Sequence, residues 1–398
     1  MNFSPFLRRR GFLPRALLVL CLALSAFTFA VAIANILLAL AVLAWIPELR
    51  RGGPARRREA FGASVTFALA VFVALLAASA VFSLHPGNSL FALKGIFTFL
   101  LLPLFADVIE TREEMASVAN LLGLAALVLA AIGVWQYLHG ANRLSDRIEG
   151  TLSHYMTYSG LLLLVCLLFL GRTVEDRSVR PAAAAVALAL AATLVMTFTR
   201  NAYVGFIAAS LVFLAIRRPR WIWTAVPAAL LAYFLAPGEI RLRMLSTFDP
   251  SDPTNRDRLD MAVAGARMVR DYPVFGLGLT LVKPYYPLYR VPDALRFRVP
   301  HLHDNVLQIA AESGLFAAAA YVALLVCYFV VCLRRLRSEG DPRLRGLLAG
   351  SFLAVAGITV AGLFEYNFGD VEVLMTTLIL MSFPFSRVFR RPEPDVPR

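Results

Sequence analysis

The chain is poor in charge. Only 16% of its 398 residues are Asp, Glu, Lys or Arg, whereas 59% are hydrophobic and the mean hydropathy is +0.69. Soluble domains carry about a quarter charged residues, so this much apolar surface cannot be hidden in one water-soluble core, and a polytopic membrane protein is expected. Lysine is nearly missing: Lys94 and Lys283 are the only two among 39 basic residues. Cysteine is scarce as well. Cys21, Cys166, Cys327 and Cys332 all lie in apolar stretches, without metal-ligand spacing or a loop partner, and read as small hydrophobes. There is no Walker loop, no HExxH and no CxxC, and Gly276 with Gly278 alone do not make a GxGxxG, so a nucleotide cofactor is unsupported. Apart from Lys94 and Glu312 the apolar interiors have almost no ionisable residues. Without a relay or ion path across the midplane, and without an evident inverted repeat, a transporter or channel is disfavoured.

What is present is a series of long apolar runs. A span needs about 20 apolar residues. Ala16–Ile46 is too long for one span and has arginines on both flanks, so it reads as a tight hairpin that is not a cleaved signal peptide. Ten further runs follow near 60–84, 89–108, 115–138, 151–171, 181–199, 201–216, 221–236, 305–333, 346–364 and 371–386. The expectation is therefore an all-α transmembrane bundle of about twelve spans: spans 1–9 in residues 1–236, a long external loop at 237–304, and spans 10–12 with a cytoplasmic tail in 305–398. Twenty-five basic residues fall on the inner side of this layout and 13 outside, so the formal charge of +13 fixes orientation and no nucleic-acid partner is expected. In the external loop a helix is expected over about 256–271, with Leu259, Ala262, Val263, Ala266 and Val269 near one face. The loop reads either as a lid over the outer mouth or as a cap without a ligand.

The candidates for chemistry are polar residues at the outer span ends. His303 heads the tenth span beside His301 and Asp304. A neutral imidazole there can take a proton from a hydroxyl near neutral pH. Metal binding is the competing reading, although the loop itself offers few further ligands. The partner of His303 is open, with Glu312, Glu365 and Asp370 the carboxylates in question. Arg147, Arg200 and Arg258 lie outside, where topology does not call for arginine, and their planar forks suit phosphate oxygens. The opposing reading is ordinary pairing: Arg147 with Asp146 or Glu149, Arg258 with Asp257 or Asp260. Lys94 either snorkels to the headgroups or reaches a bound anion.

Three segments resemble the O-antigen ligase family and its superfamily with the O-antigen polymerases: TFTRNAYVGF, TNRDRLDM…DYPVFGLG and HLHDNVLQIAAESGLF. DRIEGTLSHYMTYSG is similar to ligase-type members. The family's histidine motif is His followed by Asn, Ser or Gln, then nine residues and Gly. His303 and Gly314 fit, but Asp304 departs from it, and a carboxylate there would raise the imidazole's basicity. The resemblance implies a glycosyltransferase of the bacterial inner membrane with its site facing the periplasm, which makes 237–304 a periplasmic loop. It would transfer a glycan, without metal or other cofactor, from undecaprenyl diphosphate to a lipid A core hydroxyl. In that reading Arg147, Arg200 and Arg258 grip the diphosphate and His303 deprotonates the acceptor, with inversion. The nearest alternative is an O-antigen polymerase, whose acceptor is another lipid-linked glycan.

Overall fold

A computed structural model describes residues 31–53, 64–224, 238–389 and Pro227, Tyr233 and Phe234. Among them nine helices are long and apolar enough to cross a membrane, and a shorter one, Arg180–Met196, accompanies them. Ten of the twelve expected spans are thus accounted for. The first arm of the hairpin and most of the 221–236 run lie outside the described residues.

The bundle comprises α1 (Val31–Arg51), α2 (Ser64–Val81), α3 (Pro86–Val108, wound as 3₁₀ over Leu93–Leu100), α4 (Arg112–Leu138), α5 (Tyr155–Glu175), α6 (Arg180–Met196) and α7 (Arg200–Arg217). After the long-loop helices α8 (Gly238–Leu245), α9 (Pro253–Asp271) and α10 (Val282–Tyr289) come α11 (Asn305–Ser338), α12 (Pro342–Ala361) and α13 (Val371–Ser382). A two-stranded ribbon, β1 (Asn142–Arg143) with β2 (Asp146–Arg147), joins α4 to α5.

α5, α12 and α13 are the most buried spans, with α6 and α12 on α5 and α7 on α12. Lipid tails are as apolar as leucine, so spans associate by close packing, and small residues permit it. A Cβ on Gly171 of α5 would collide with the backbone of Gly350 of α12. Polar side chains mark the ends and seams. Thr111 and Glu114 form a capping box at α4, and the Trp45 indole donates to Asp107 Oδ2 at 2.8 Å between α1 and α3.

α11 is not one straight helix. Gly314 sits at φ 84°, ψ 170°, a region open essentially to glycine, and breaks it after one short helical segment. The break frees backbone groups, which in a membrane must find partners. The segment DYPVFGLG supplies them: Leu277 N–H donates to the Ala311 carbonyl (2.9 Å), Gly278 N–H to the Glu312 carbonyl (2.9 Å), and Leu315 N–H to the Pro273 carbonyl (2.8 Å). Ser79 of α2 adds bonds to the carbonyls of Phe275 (2.7 Å) and Glu312 (3.0 Å). A side chain on Gly276 would strike the Glu312 backbone.

The long loop has an apolar core of its own, built from Met261, Ala264, Met268, Leu281, Val282, Tyr286 and Leu302. Its main helix lies close to the expected span, but the face differs. Met261, Ala264, Gly265 and Met268 are buried, while Leu259 and Val263 are exposed. The small residues let α9 come down on Leu302 and Leu307, and a Cβ at Gly265 would press both. Leu259 is thereby left for a cavity on the other side.

Candidate active site

Two loops build the site: the turn before α11 and the connection from α12 to α13. Asp304 accepts from Leu307 N–H at 2.7 Å and so caps α11. Asn305 N–H donates to the Gly362 carbonyl at 2.7 Å, and Asn305 Oδ1 accepts from Phe368 N–H at 3.0 Å, which locks the two loops together. His303 is held between these anchors at φ +55°, a left-handed backbone uncommon outside glycine.

Glu365 lies under the histidines, 3% exposed. Its Oε2 is 2.8 Å from His303 Nδ1, and its Oε1 accepts from Tyr366 N–H at 3.0 Å and lies 3.5 Å from His301 Nε2. A carboxylate can only accept, so the shared proton sits on Nδ1 and leaves Nε2 with a lone pair, as a general base requires. Burial pulls the Glu365 carboxyl upward, but the hydrogen bond from His303 and the fields of His303, His301 and Arg258 outweigh it and keep it below its ordinary value. Glu365 therefore holds the place that the sequence offered to Asp304. Asp304 is turned to the helix N-terminus, and burial raises its carboxyl. Glu312 is bonded by Gln308 Nε2 at 2.9 Å beside the helix break, and Asp370 accepts from Thr157 at 2.9 Å.

His301, His303 and Glu365 bring potential ligand atoms within 4.8 Å of one another. The third ligand that the histidine loop lacks in sequence is thus supplied from the α12–α13 connection, and these three residues could hold a metal ion. Doing so would compete with the 2.8 Å His303–Glu365 hydrogen bond.

Burial, ahead of the opposing field of Glu365, pushes His301 from 6.5 down to about 4. The unfolded chain takes up this proton near pH 6.5 and the folded chain only near 4, so stability is full above 6.5 and falls as pH is lowered through that window. The melting temperature of the wild type should drop between pH 7 and 5, above the carboxylate range, and His301→Gln should flatten that slope. Equal slopes in thermal scans of the two proteins would remove His301 as the cause.

Around this dyad the structure gathers arginines. Arg200 is 4% exposed and donates to the Ser246 carbonyl (2.7 Å), Ser246 Oγ (3.0 Å) and Asp252 Oδ1 (3.2 Å). Arg147 stacks over Tyr155 at 4.3 Å and donates to the carbonyls of Leu144 (3.0 Å) and Phe198 (3.4 Å). Among the described residues Arg147 and Arg258 make no ion pair, so neither follows the ordinary-pairing reading; Asp257 pairs with Arg296 instead, at 3.0 Å. Arg258 Nε is buried without a hydrogen-bond partner. Burial, then the repulsion of Arg200 against the attraction of Glu365, holds its guanidinium below the ordinary value. Lys94 is not drawn in: its ammonium lies exposed over the Phe91 ring at 3.8 Å.

Sequence reasoning missed a fourth arginine. Arg243 of α8 reaches Asp252 only at 3.9 Å, and its Nε is buried without a partner. Burial and the fields of Arg200 and Arg147 push it down to about 10. The argument from misplaced external arginines applies equally to Arg241 and Arg243; only the fold shows that Arg243 turns inward while Arg241 is exposed. His154, the N-cap of α5, was also missed; it lies within the fields of Glu365, His303 and Arg147, and burial lowers it. Beside the arginines is a cavity of about 470 Å³ whose lining includes Arg200, Arg258, Leu259, Val204 and Phe364.

Arg200 differs from its neighbours in that its fork is already occupied by the long loop. Arg200→Lys keeps the charge but cannot make all three bonds, and should weaken loop docking by about 1–3 kcal/mol. Faster limited proteolysis between residues 238 and 255, together with reduced activity, is the expected result. Unchanged cleavage would show that the fork does not hold the loop.

Residues 184–322 match the family described as O-antigen ligase. The matched stretch runs from α6 into α11 and contains Arg200, Arg243, Arg258 and His303, but neither Arg147 nor Glu365. A search of curated proteins found no match.

Proposed function

We propose, from the similarity of residues 184–322 to the O-antigen ligase family, that this chain is a membrane glycosyltransferase using a polyprenyl-diphosphate-linked glycan. The donor is undecaprenyl diphosphate glycan, the acceptor a sugar hydroxyl of lipid A core, and the membrane the bacterial inner membrane with the site facing the periplasm. The observation that carries this reading is a histidine–carboxylate dyad beside four arginines, with Asp252 as the one acid that pairs within the cluster among the described residues.

His303 Nε2 takes the proton of the acceptor hydroxyl, and the oxygen attacks the anomeric carbon from the face opposite the diphosphate. The bond from that carbon to the phosphate oxygen breaks, and undecaprenyl diphosphate leaves with the electron pair. Glu365 stabilises the imidazolium as it forms. Arg258, Arg243 and Arg147 stabilise the charge growing on the leaving group, the task a metal performs elsewhere. Backside attack inverts the anomeric centre.

Reconstitution with purified lipid-linked glycan and lipid A core tests the reading. Glycan on the core, formed equally in the presence of EDTA, is expected. Elongated lipid-linked chains would make the protein a polymerase, and no transfer to either acceptor would overturn the enzymatic reading.

A further inference from the structure

At the end of the bundle opposite His303, the far termini of α5, α7 and α12 enclose a cavity of about 570 Å³ with the start of α6. This is the basic end, which the arginine bias assigns to the cytoplasm. Orientation accounts for arginines here, but not for six of them lining one concavity together with Trp221.

The acids in the cavity wall are already engaged. Glu175, with its side chain 0% exposed, holds Arg345 at 2.9 Å, Arg217 at 3.2 Å and Arg218 at 3.5 Å. Asp176 accepts from Ser178 N–H (2.9 Å) and Oγ (2.6 Å), and Asp341 pairs with Arg112 at 3.0 Å while capping α12. Arg180 is turned to the carbonyls of Thr173 and Val174. That leaves Arg177, Arg220 and Arg343, which make no ion pair among the described residues yet face the same space. Three guanidiniums without an ion pair among the described residues, of which Arg343 feels the field of Glu113, surround a cavity of ligand size and form a receptor for a multivalent oxyanion. Trp221 at the rim is the residue type that settles at the headgroup level of a bilayer.

We propose that this cavity binds a phosphate-bearing anion through Arg177, Arg220 and Arg343. The same chemistry is offered by the headgroup of an anionic phospholipid, for which basic pockets between spans are a known receptor, and by free phosphate. The site is independent of the transfer reaction at the other end.

The test uses the full-length protein and thermal unfolding. Wild type is compared in nanodiscs of phosphatidylcholine and of phosphatidylcholine with phosphatidylglycerol, and in detergent with and without inorganic phosphate. Phosphatidylglycerol should raise the melting temperature by about 3 °C. The triple variant Arg177→Gln, Arg220→Gln, Arg343→Gln should lose the shift, whereas Arg334→Gln with Arg337→Gln, exposed at the same end but outside the cavity, should keep it. A shift produced by inorganic phosphate and lost in the triple variant identifies free phosphate as the ligand. Should the triple variant fail to fold, Arg220→Glu, in an exposed turn, carries the same expectation. No shift in the wild type with either probe, or equal shifts in the variants, overturns the proposal.

Discussion

Replacing His303 by alanine should lower glycan transfer by about 10³-fold in proteoliposomes, with the KM for the lipid-linked donor little changed. The reason is the proposed division of labour, in which His303 handles the acceptor's proton and the arginines hold the donor. Glu365→Gln should come close to the same loss, about 10²- to 10³-fold, although the side chain is nearly isosteric. A glutamine amide can donate to Nδ1, which moves the imidazole proton to Nε2 and blocks the lone pair that the mechanism needs. Because the two residues act as one unit, the double variant should be about as slow as His303→Ala alone, not slower by the product. Multiplicative losses, or a Glu365→Gln enzyme with unimpaired kcat, would show that Glu365 does not set the tautomer.

The second large effect concerns the two site arginines whose Nε is buried without a hydrogen-bond partner. Arg258→Ala and Arg243→Ala should each reduce kcat/KM by about 10²-fold, the scale for removing one charged donor from a leaving-group site, and should raise the donor KM. They should also do something His303→Ala does not. Arg243 is pushed down to about 10 by burial and by Arg200 and Arg147, so the empty site stores like-charge repulsion. Deleting either cation should therefore raise the melting temperature of the substrate-free protein while activity falls, a trade of stability for function. Asp252→Asn should move stability the other way, since it removes the carboxylate shared by Arg200 and Arg243. Loss of activity accompanied by loss of stability in both arginine variants would mean that they are structural.

Much of the fold was legible in the sequence because membrane thickness turns a span into a run of fixed length. Arginine bias then orients it. α4 and α5 follow from these rules alone. The break at Gly314 does not, since a glycine in an apolar helical run is common and what unwinds this one is the distant segment Pro273–Gly278. The site was partly legible for a related reason. Arg200 could be singled out because an arginine at a sharp external turn has no topological purpose. Its engagement with Ser246 and Asp252 depends on where the loop lands. Asp304 illustrates the limit: adjacency to His303 suggested a partner, but an Asp before a helix is also a cap, and the backbone N–H of Leu307 claims it. Glu365, 62 residues away, meets His303 only because Asn305 ties the two loops together.

The broken α11 bears on how a substrate can enter. The half-helix behind His303 shares two backbone hydrogen bonds with the long loop, and Leu315 just past the break adds a third, so they form a single lever: lifting the loop would drag His303 away from Glu365. An entrance that leaves the dyad assembled must be lateral. Leu259 and Phe364, both exposed, border the arginine cavity and would line such an entrance. A lipid-borne donor sliding in from the bilayer would reach the arginines by that doorway without unlatching His303 from Glu365.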